Sequence, residues 1–404
     1  MKKLLPICVG LCLQLTAVQA GEYLVIVHNQ LLDNSWYQPF FNLKSQMGFN
    51  VNVLTLSDGQ TLNDIKVMIE SHSPPPDYVL LIGDASKYPE TDRETVNTQN
   101  GNYLPLGYEL MRKTFAWHYK DDYVASDKIL ITSLPDAEFG RLPAQSTSEI
   151  TSWVNKMRQY HNFSSYSQDK NRALMVTDNV YHPTDGGSGV VTTRDRDSLI
   201  NNYLVGSAID TVLLNSSDYC DFYGSDYYQN QYVRTLAFEQ EVNNGVALIY
   251  TMGIGASESF LSNFYFTPPY IECDWNFTNQ NKYPFLLGIS CSIGEIQDTT
   301  SNAGNVTETE SVIEKLLFLP DVGIIGAFAP TDATFSTSVM AMSERLWERI
   351  VSENYDTYGE LVYDAKAAFL EQFANTRQTR EWEHRTYILY GDPSMPLALY
   401  QYKD

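Results

Sequence analysis

The chain has 404 residues and a formal net charge of −22 at neutral pH. So acidic a balance argues against nucleic acid and anionic membrane surfaces as partners, since both need a basic counterpart. The length exceeds a usual single core, so two packed units or one large α/β domain are expected. Lys2 and Lys3, the apolar stretch Leu4 to Leu15 and Val18-Gln19-Ala20 have the layout of a secretory signal covering residues 1–20. That stretch is shorter than the roughly 20 apolar residues of a membrane span. No comparable run recurs, and a secreted or periplasmic protein without a span in its mature part is expected.

After residue 20, strand and helix patterns alternate. Tyr23 to Val27 is a short apolar run of buried-strand type, and Pro39 suits the first turn of a helix ending near Gly48. Val51 to Leu56 reads as a second strand, Leu62 to Ile69 has helical spacing, and Asp77 to Gly83 reads as a third strand with Asp84 just beyond it. Such an order implies a parallel sheet covered on both faces. A loop-rich, aromatic stretch is expected from about Ser86 to Asp127, followed by a strand at Lys128 to Thr132. Ser146-Thr-Ser-Glu149 is a capping-box signature opening a helix from Ile150 to His161.

Polar residues 162–170 mark a boundary between an N-terminal α/β unit, 21–165, and a C-terminal unit, 166–404. The second repeats the alternation. Its strands are expected at 173–177, 209–214, 246–251, 285–290, 322–328 and 386–393, its helices near 194–204, 232–242, 310–318, 338–351 and 359–373. The fold class is thus α/β, two adjacent units of mostly parallel sheet flanked by helices. The chain ends soon after Gly391-Asp392-Pro393, and no further adhesion or secretion domain is expected.

Of five cysteines, Cys8 and Cys12 fall in the signal, leaving Cys220, Cys273 and Cys291. An odd count in an oxidising compartment leaves one thiol unpaired. Cys220 and Cys273 lie in polar, aromatic segments where a disulfide can form, which makes Cys291 the candidate free thiol. In an open parallel sheet, ligands sit beyond the carboxyl ends of the strands. Cys291 closes the run Tyr283 to Ser290, and Gly253-Ile254-Gly255 closes the run Gly245 to Met252, so both stand at such ends. The plain alternative for Cys291 is a buried core thiol. A dinucleotide loop at Gly253 fails at its third glycine, where Glu258 stands. Asp218, Asp221 and Asp226 are oxygen donors for a structural calcium but lack a fixed loop spacing. No other metal is indicated, and no cofactor is required.

Together these segments resemble the gingipain-type cysteine peptidases of the caspase-like superfamily. The resemblance rests on Gly253-Ile254-Gly255, Cys291, the strand ending in Gly83-Asp84, Asp121-Asp122-Tyr123, Phe139-Gly-Arg-Leu-Pro143, Glu314 before Gly323-Ile-Ile-Gly326, and Gly391-Asp392-Pro393. It implies a caspase-like second unit, Cys291 as the nucleophile, and a protein or peptide as substrate or ligand; from their places at the strand ends, the backbone N–H groups of Gly255 and of Cys291 itself are the candidate oxyanion donors. It also places the general base, a histidine, at the position of Ile254. Isoleucine can neither accept nor orient a proton, so catalysis is expected to be impaired. His182 and His118 are candidate substitute bases, and Glu258 is a poor one, since a carboxylate beside a thiol disfavours the thiolate. Three readings stand: an impaired peptidase relative, an active one with a substitute base, and a non-enzymatic secreted binding protein.

Overall fold

The computed structural model describes residues 21–57, 60, 62–84, 107–115, 118–126, 137–161, 171–177, 191–215, 227–253, 255–257, 259–260, 275–296, 300–302, 305–307, 310–332, 334, 336–352, 355–372 and 383–397. Within them, 107–115, 118–126 and some other helix and strand residues are described by their backbone alone.

The strands are β1 (Glu22–His28), β2 (Asn50–Leu56), β3 (Tyr78–Ile82), β4 (Gly107–Phe115), β5 (His118–Ser126), β6 (Glu138–Leu142), β7 (Arg172–Thr177), β8 (Asp210–Asn215), β9 (Leu248–Gly253), β10 (Gly255–Ala256), β11 (Ser259–Phe260), β12 (Phe285–Ser290), β13 (Thr300–Asn302), β14 (Asn305–Thr307), β15 (Gly326–Pro330) and β16 (Tyr387–Tyr390). Ten of them form one sheet in the order β2-β1-β3-β6-β16-β15-β12-β9-β7-β8. Every pairing in it is parallel except β15 with β16. The strands of the first 142 residues lie on one side and those after residue 171 on the other, with β16 joining them. This is the mostly parallel, helix-flanked α/β sheet expected.

The helices are α1 (Asn34–Gln46), α2 (Leu62–Ser71), α3 (Thr147–His161), α4 (Val191–Leu199), α5 (Tyr227–Asn244), α6 (Val312–Phe318), α7 (Ser336–Ser352) and α8 (Tyr358–Gln372). Strand alternation sends side chains to opposite faces. Tyr23, Val25 and Val27 of β1 share a core with Trp36 and Phe40 of α1 and Trp153 of α3. Leu24 and Ile26 point the other way, against Ile65 and Ile69 of α2. At the centre, Phe285, Leu286, Leu287 and Ile289 of β12 are all buried, because helices cover both faces there.

Local signals explain the helix boundaries, and some expectations need correction. Ser146 and Glu149 exchange capping bonds, Glu149 N to Ser146 Oγ at 3.3 Å and Ser146 N to Glu149 Oε2 at 3.1 Å. Pro39 is not in the first turn of its helix. α1 begins at Asn34 with Asp33 as its cap, its carboxylate accepting from Ser35 N at 2.7 Å, and the proline sits inside the helix. The stretch expected to be loop-rich holds a hairpin of β4 and β5, paired antiparallel from Gly107 opposite Ser126 to Phe115 opposite His118. β6 lies where no strand was expected, and β15 begins at Gly326 rather than Val322. The expected strand at 128–132 and the boundary at 162–170 lie outside the described residues.

Several of the sequence pieces that carry the resemblance are structural joints. Gly140 of β6 approaches the 391–393 turn so closely that a Cβ there would stand 2.1 Å from the Gly391 carbonyl. Gly391 N in turn donates to Arg141 O at 2.8 Å. Asp392 is fully buried and accepts from Tyr23 Oη at 2.7 Å, from Ser394 N at 3.0 Å and from the Lys44 ammonium. Burial alone would push the Asp392 carboxyl up, but Lys44 and its other donors hold it below the usual carboxylate range. On the other side of β6, Gly83 N donates to Leu142 O at 2.9 Å, and Asp84 accepts from Gln145 Nε2 at 2.8 Å. These contacts account for Gly83-Asp84, Gly140-Arg141 and Gly391-Asp392-Pro393 as fasteners of the sheet.

Candidate functional site

β9 and β12 are neighbours, and their ladder ends with Ser290 opposite Gly253. Both chains therefore leave the sheet at the same level on its carboxyl edge, where a parallel α/β sheet places its ligands. Beyond that level the two turns touch. A Cβ on Gly255 would stand 2.4 Å from the Cys291 carbonyl oxygen, 2.7 Å from Ile293 Cγ2 and 2.9 Å from Ser290 Cβ, so only glycine fits. Ser292 has a φ of 53°, a left-handed conformation uncommon for a residue with a Cβ, and it turns the chain away just after the thiol.

The first turn of α6 fastens both loops. Val312 N donates to Ser257 O at 2.7 Å, and Ile313 N donates to Ile293 O at 3.2 Å. Ser311 caps this helix in a capping box with Glu314, which is why the buried Glu314 belongs to the sequence pattern.

Cys291 is partly exposed and carries a free thiol. Its sulfur is clasped by Thr334, in the segment following β15. Thr334 N donates to Sγ at 3.3 Å, and Thr334 Oγ1 lies 3.3 Å from the same sulfur. Ser292 N to Asp332 O and Gly294 N to Pro330 O, each 3.1 Å, lay this segment alongside the turn after Cys291. Among the described residues, every hydrogen bond of the sulfur goes to Thr334.

β16 enters the same edge from the opposite direction. Tyr387 pairs with Pro330, and Thr331 N donates to Thr386 O at 2.8 Å, so residues 383–386 border the thiol's side of the sheet. Tyr387 is fully buried, with its ring 5.2 Å from that of Phe328. Burial raises its phenol far above the ordinary value, and the charges of Glu383 and Cys291 add to the effect.

Of the residues singled out in the sequence, Cys291 and Gly255 are brought together. Ile254, His182, Glu258, Cys220, Cys273, Asp218, Asp221 and Asp226 lie outside the described residues. His118 begins β5, in a ladder separate from the main sheet, and only its backbone is described. Thr334, Tyr387 and the segment carrying Glu383 and His384 were not anticipated. The pairing of β16 antiparallel to β15 brings that segment to this edge, and no local pattern announces it. Among the described residues, no cluster of histidine, cysteine and acidic side chains could hold a metal ion.

A thiol at the carboxyl edge of a mostly parallel sheet, backed by a glycine-containing turn on the adjacent strand, is the layout of a caspase-like cysteine peptidase. The chain belongs to peptidase family C25, whose model matches residues 16–398. In fold it is similar to the Arg-specific cysteine proteinase gingipain R (RgpB), with a TM-score of 0.65 and 16% identity over 94% of this chain and 78% of that one. A complex of the Porphyromonas gingivalis RgpB pro- and mature domains gives a TM-score of 0.64 at 16% identity, covering 93% and 80%. A third structure, described only as a protease, gives 0.63 at 15% identity, covering 93% and 78%. No curated protein matches.

Proposed function

We propose that this chain is an exported gingipain-type homologue that keeps the nucleophile at Cys291 but, with Ile254 in place of the base, binds peptides with little or no cleavage. The observation that carries the reading is the set of partners around the sulfur: a threonine clasps it, and among the described residues no imidazole bonds to it. Loss of the base costs a serine peptidase on the order of a million-fold in turnover. A thiol suffers less, being a few per cent ionised unaided near neutrality. It still lacks an acid to protonate the departing amine. The carboxyl edge of β9 and β12, where parallel sheets place ligands, is then the place proposed for a peptide backbone.

Export rests on the leader pattern of residues 1–20. Among the described residues no helix is long and apolar enough to cross a membrane. The segregation of strands on either side of β16 supports two subdomains, 21–165 and 166–404. No cofactor enters the chemistry proposed. A second reading, an active peptidase with a substitute base, is favoured by one placement: His384 lies between Glu383 and Thr386 at the edge that carries Cys291.

The two readings separate on incubation of the mature protein with an irreversible peptidyl electrophile, followed by mass spectrometry of the labelled site. Slow labelling at Cys291 without turnover of matched peptides is expected. Rapid labelling with turnover that disappears in His384→Ala would establish the second.

A further inference from the structure

We propose that Thr334 and Tyr387 form a hydroxyl pair that positions and polarises the Cys291 sulfur, keeping it nucleophilic where position 254 offers no imidazole. The inference rests on the reading of Cys291 as the retained nucleophile and concerns what still acts on it.

The geometry is specific. Thr334 presents three groups to one sulfur: its backbone N–H and its hydroxyl, both at 3.3 Å, and its carbonyl oxygen, which accepts from the thiol at 3.8 Å. Donors aimed at a sulfur favour thiolate over thiol. Thr334 is held for this task, being only 8% exposed, while the turn after Cys291 bonds to Pro330 and Asp332 on either side of Thr331. Its hydroxyl also needs a donor of its own if its proton is committed to sulfur. Tyr387 supplies one. Its hydroxyl is fully buried and falls short of hydrogen-bond geometry with every described residue, yet it lies close enough to Thr334 and Cys291 for both to act on its ionisation.

A buried phenol without a partner is costly unless something engages it. In the arrangement proposed, Tyr387 Oη–H donates to Thr334 Oγ1, and Thr334 Oγ1–H donates to Cys291 Sγ, 3.3 Å away. Such chains strengthen each member. Because Tyr387 resists ionisation, it remains a donor throughout the neutral range. Neither residue can do what a histidine does. A threonine hydroxyl has no accessible conjugate acid for relaying a proton to an amine. The arrangement therefore fits a thiol that reacts with electrophiles but does not efficiently turn over amides.

The test uses iodoacetamide, which carries no peptide and reports the thiol alone. Alkylation of the Cys291-containing fragment is followed by mass spectrometry from acid to alkaline pH in the mature protein and in Thr334→Val, Thr334→Ser and Tyr387→Phe. Valine keeps the shape and the N–H but removes the hydroxyl. It is expected to slow alkylation about ten-fold near neutrality and to move the profile to higher pH, while serine stays within about two-fold of wild type. Tyr387→Phe, which deletes one oxygen, is expected to slow it about three-fold. An unchanged rate and profile in Thr334→Val, or a serine variant as slow as the valine one, overturns the role of the hydroxyl. If Thr334→Val does not fold, Tyr387→Phe carries the test, and a wild-type profile there overturns the pair. Failure here leaves the peptide-binding reading intact, because that reading stands on labelling by a peptidyl reagent.

Discussion

Replacing Asp392 by asparagine should expose how the two ends of the chain are fastened. The buried carboxylate receives the Lys44 ammonium from α1, Tyr23 Oη from β1 at 2.7 Å, and Ser394 N and Oγ at 3.0 Å. Lys44 also donates to Ser394 Oγ at 2.6 Å, and its amine is otherwise enclosed by the rings of Tyr23, Phe40 and Phe49 at 5.1–5.8 Å. Asparagine preserves the shape and accepts from Tyr23, but it leaves an ammonium in a pocket with no exposure. Breaking one partner of a buried pair costs about 3–5 kcal/mol.

Urea unfolding of Asp392→Asn should show a loss in that range. The double variant with Lys44→Met should lose less than the two singles combined, by about 2 kcal/mol or more. The pH dependence has a definite sign. The folded-state carboxyl is depressed, so its contribution is present above the unfolded value near 3.9 and is lost as pH falls through the lower folded value. The acid limb of stability should therefore be steeper in the wild type than in Asp392→Asn. A loss below about 1 kcal/mol, or strict additivity of the singles, would refute the fastening role.

Glu138 should act in the opposite sense. Burial first, then Glu360, pushes its carboxyl up to about 8, against an opposing hydrogen bond from Thr357 Oγ1 at 3.1 Å. The folded state then holds a proton that the unfolded chain has released, and stability falls as pH climbs from about 4.5 to about 8. The span corresponds to up to about 5 kcal/mol, and less after screening of this partly exposed group. Thermal melting at pH 5 and pH 8 should show that fall shrinking in Glu138→Gln, and an undiminished slope would contradict the cause given. Gly255→Ala should be disruptive, since its methyl would meet the Cys291 carbonyl at 2.4 Å. Melting should drop, and the Cys291 alkylation rate should change with it. A variant with wild-type stability and thiol reactivity would show that the two turns do not touch.

Much of this architecture is written locally. Buried parallel strands are near-continuous apolar runs, so β1, β3, β9 and β12 stand out, and the pairs Ser146–Glu149 and Ser311–Glu314 fix helix starts through bonds within one turn. Pro39 misled because the true start, Asp33, lies a turn earlier, and a helix tolerates a proline inside it when packing of Trp36 and Phe40 outweighs one lost bond. β6 is hidden by Gly140 and the buried charge of Arg141, whose places are set by the distant 391–393 turn. At the site, Cys291 and Gly255 were legible because each ends an apolar strand. Thr334 and Tyr387 were not, since their relation to the sulfur arises only from the neighbouring positions of β12, β15 and β16.

In the function proposed, the scaffold and thiol persist while position 254 no longer carries the proton-transferring group. Peptide hydrolysis by the mature protein and its Ile254→His variant, measured side by side on a panel of peptides that includes arginine-containing sequences, tests it most directly. Negligible turnover is expected from the wild type, with activity that appears with the histidine and vanishes again when Cys291→Ala is added. Efficient cleavage by the unaltered chain that requires Cys291 would contradict it.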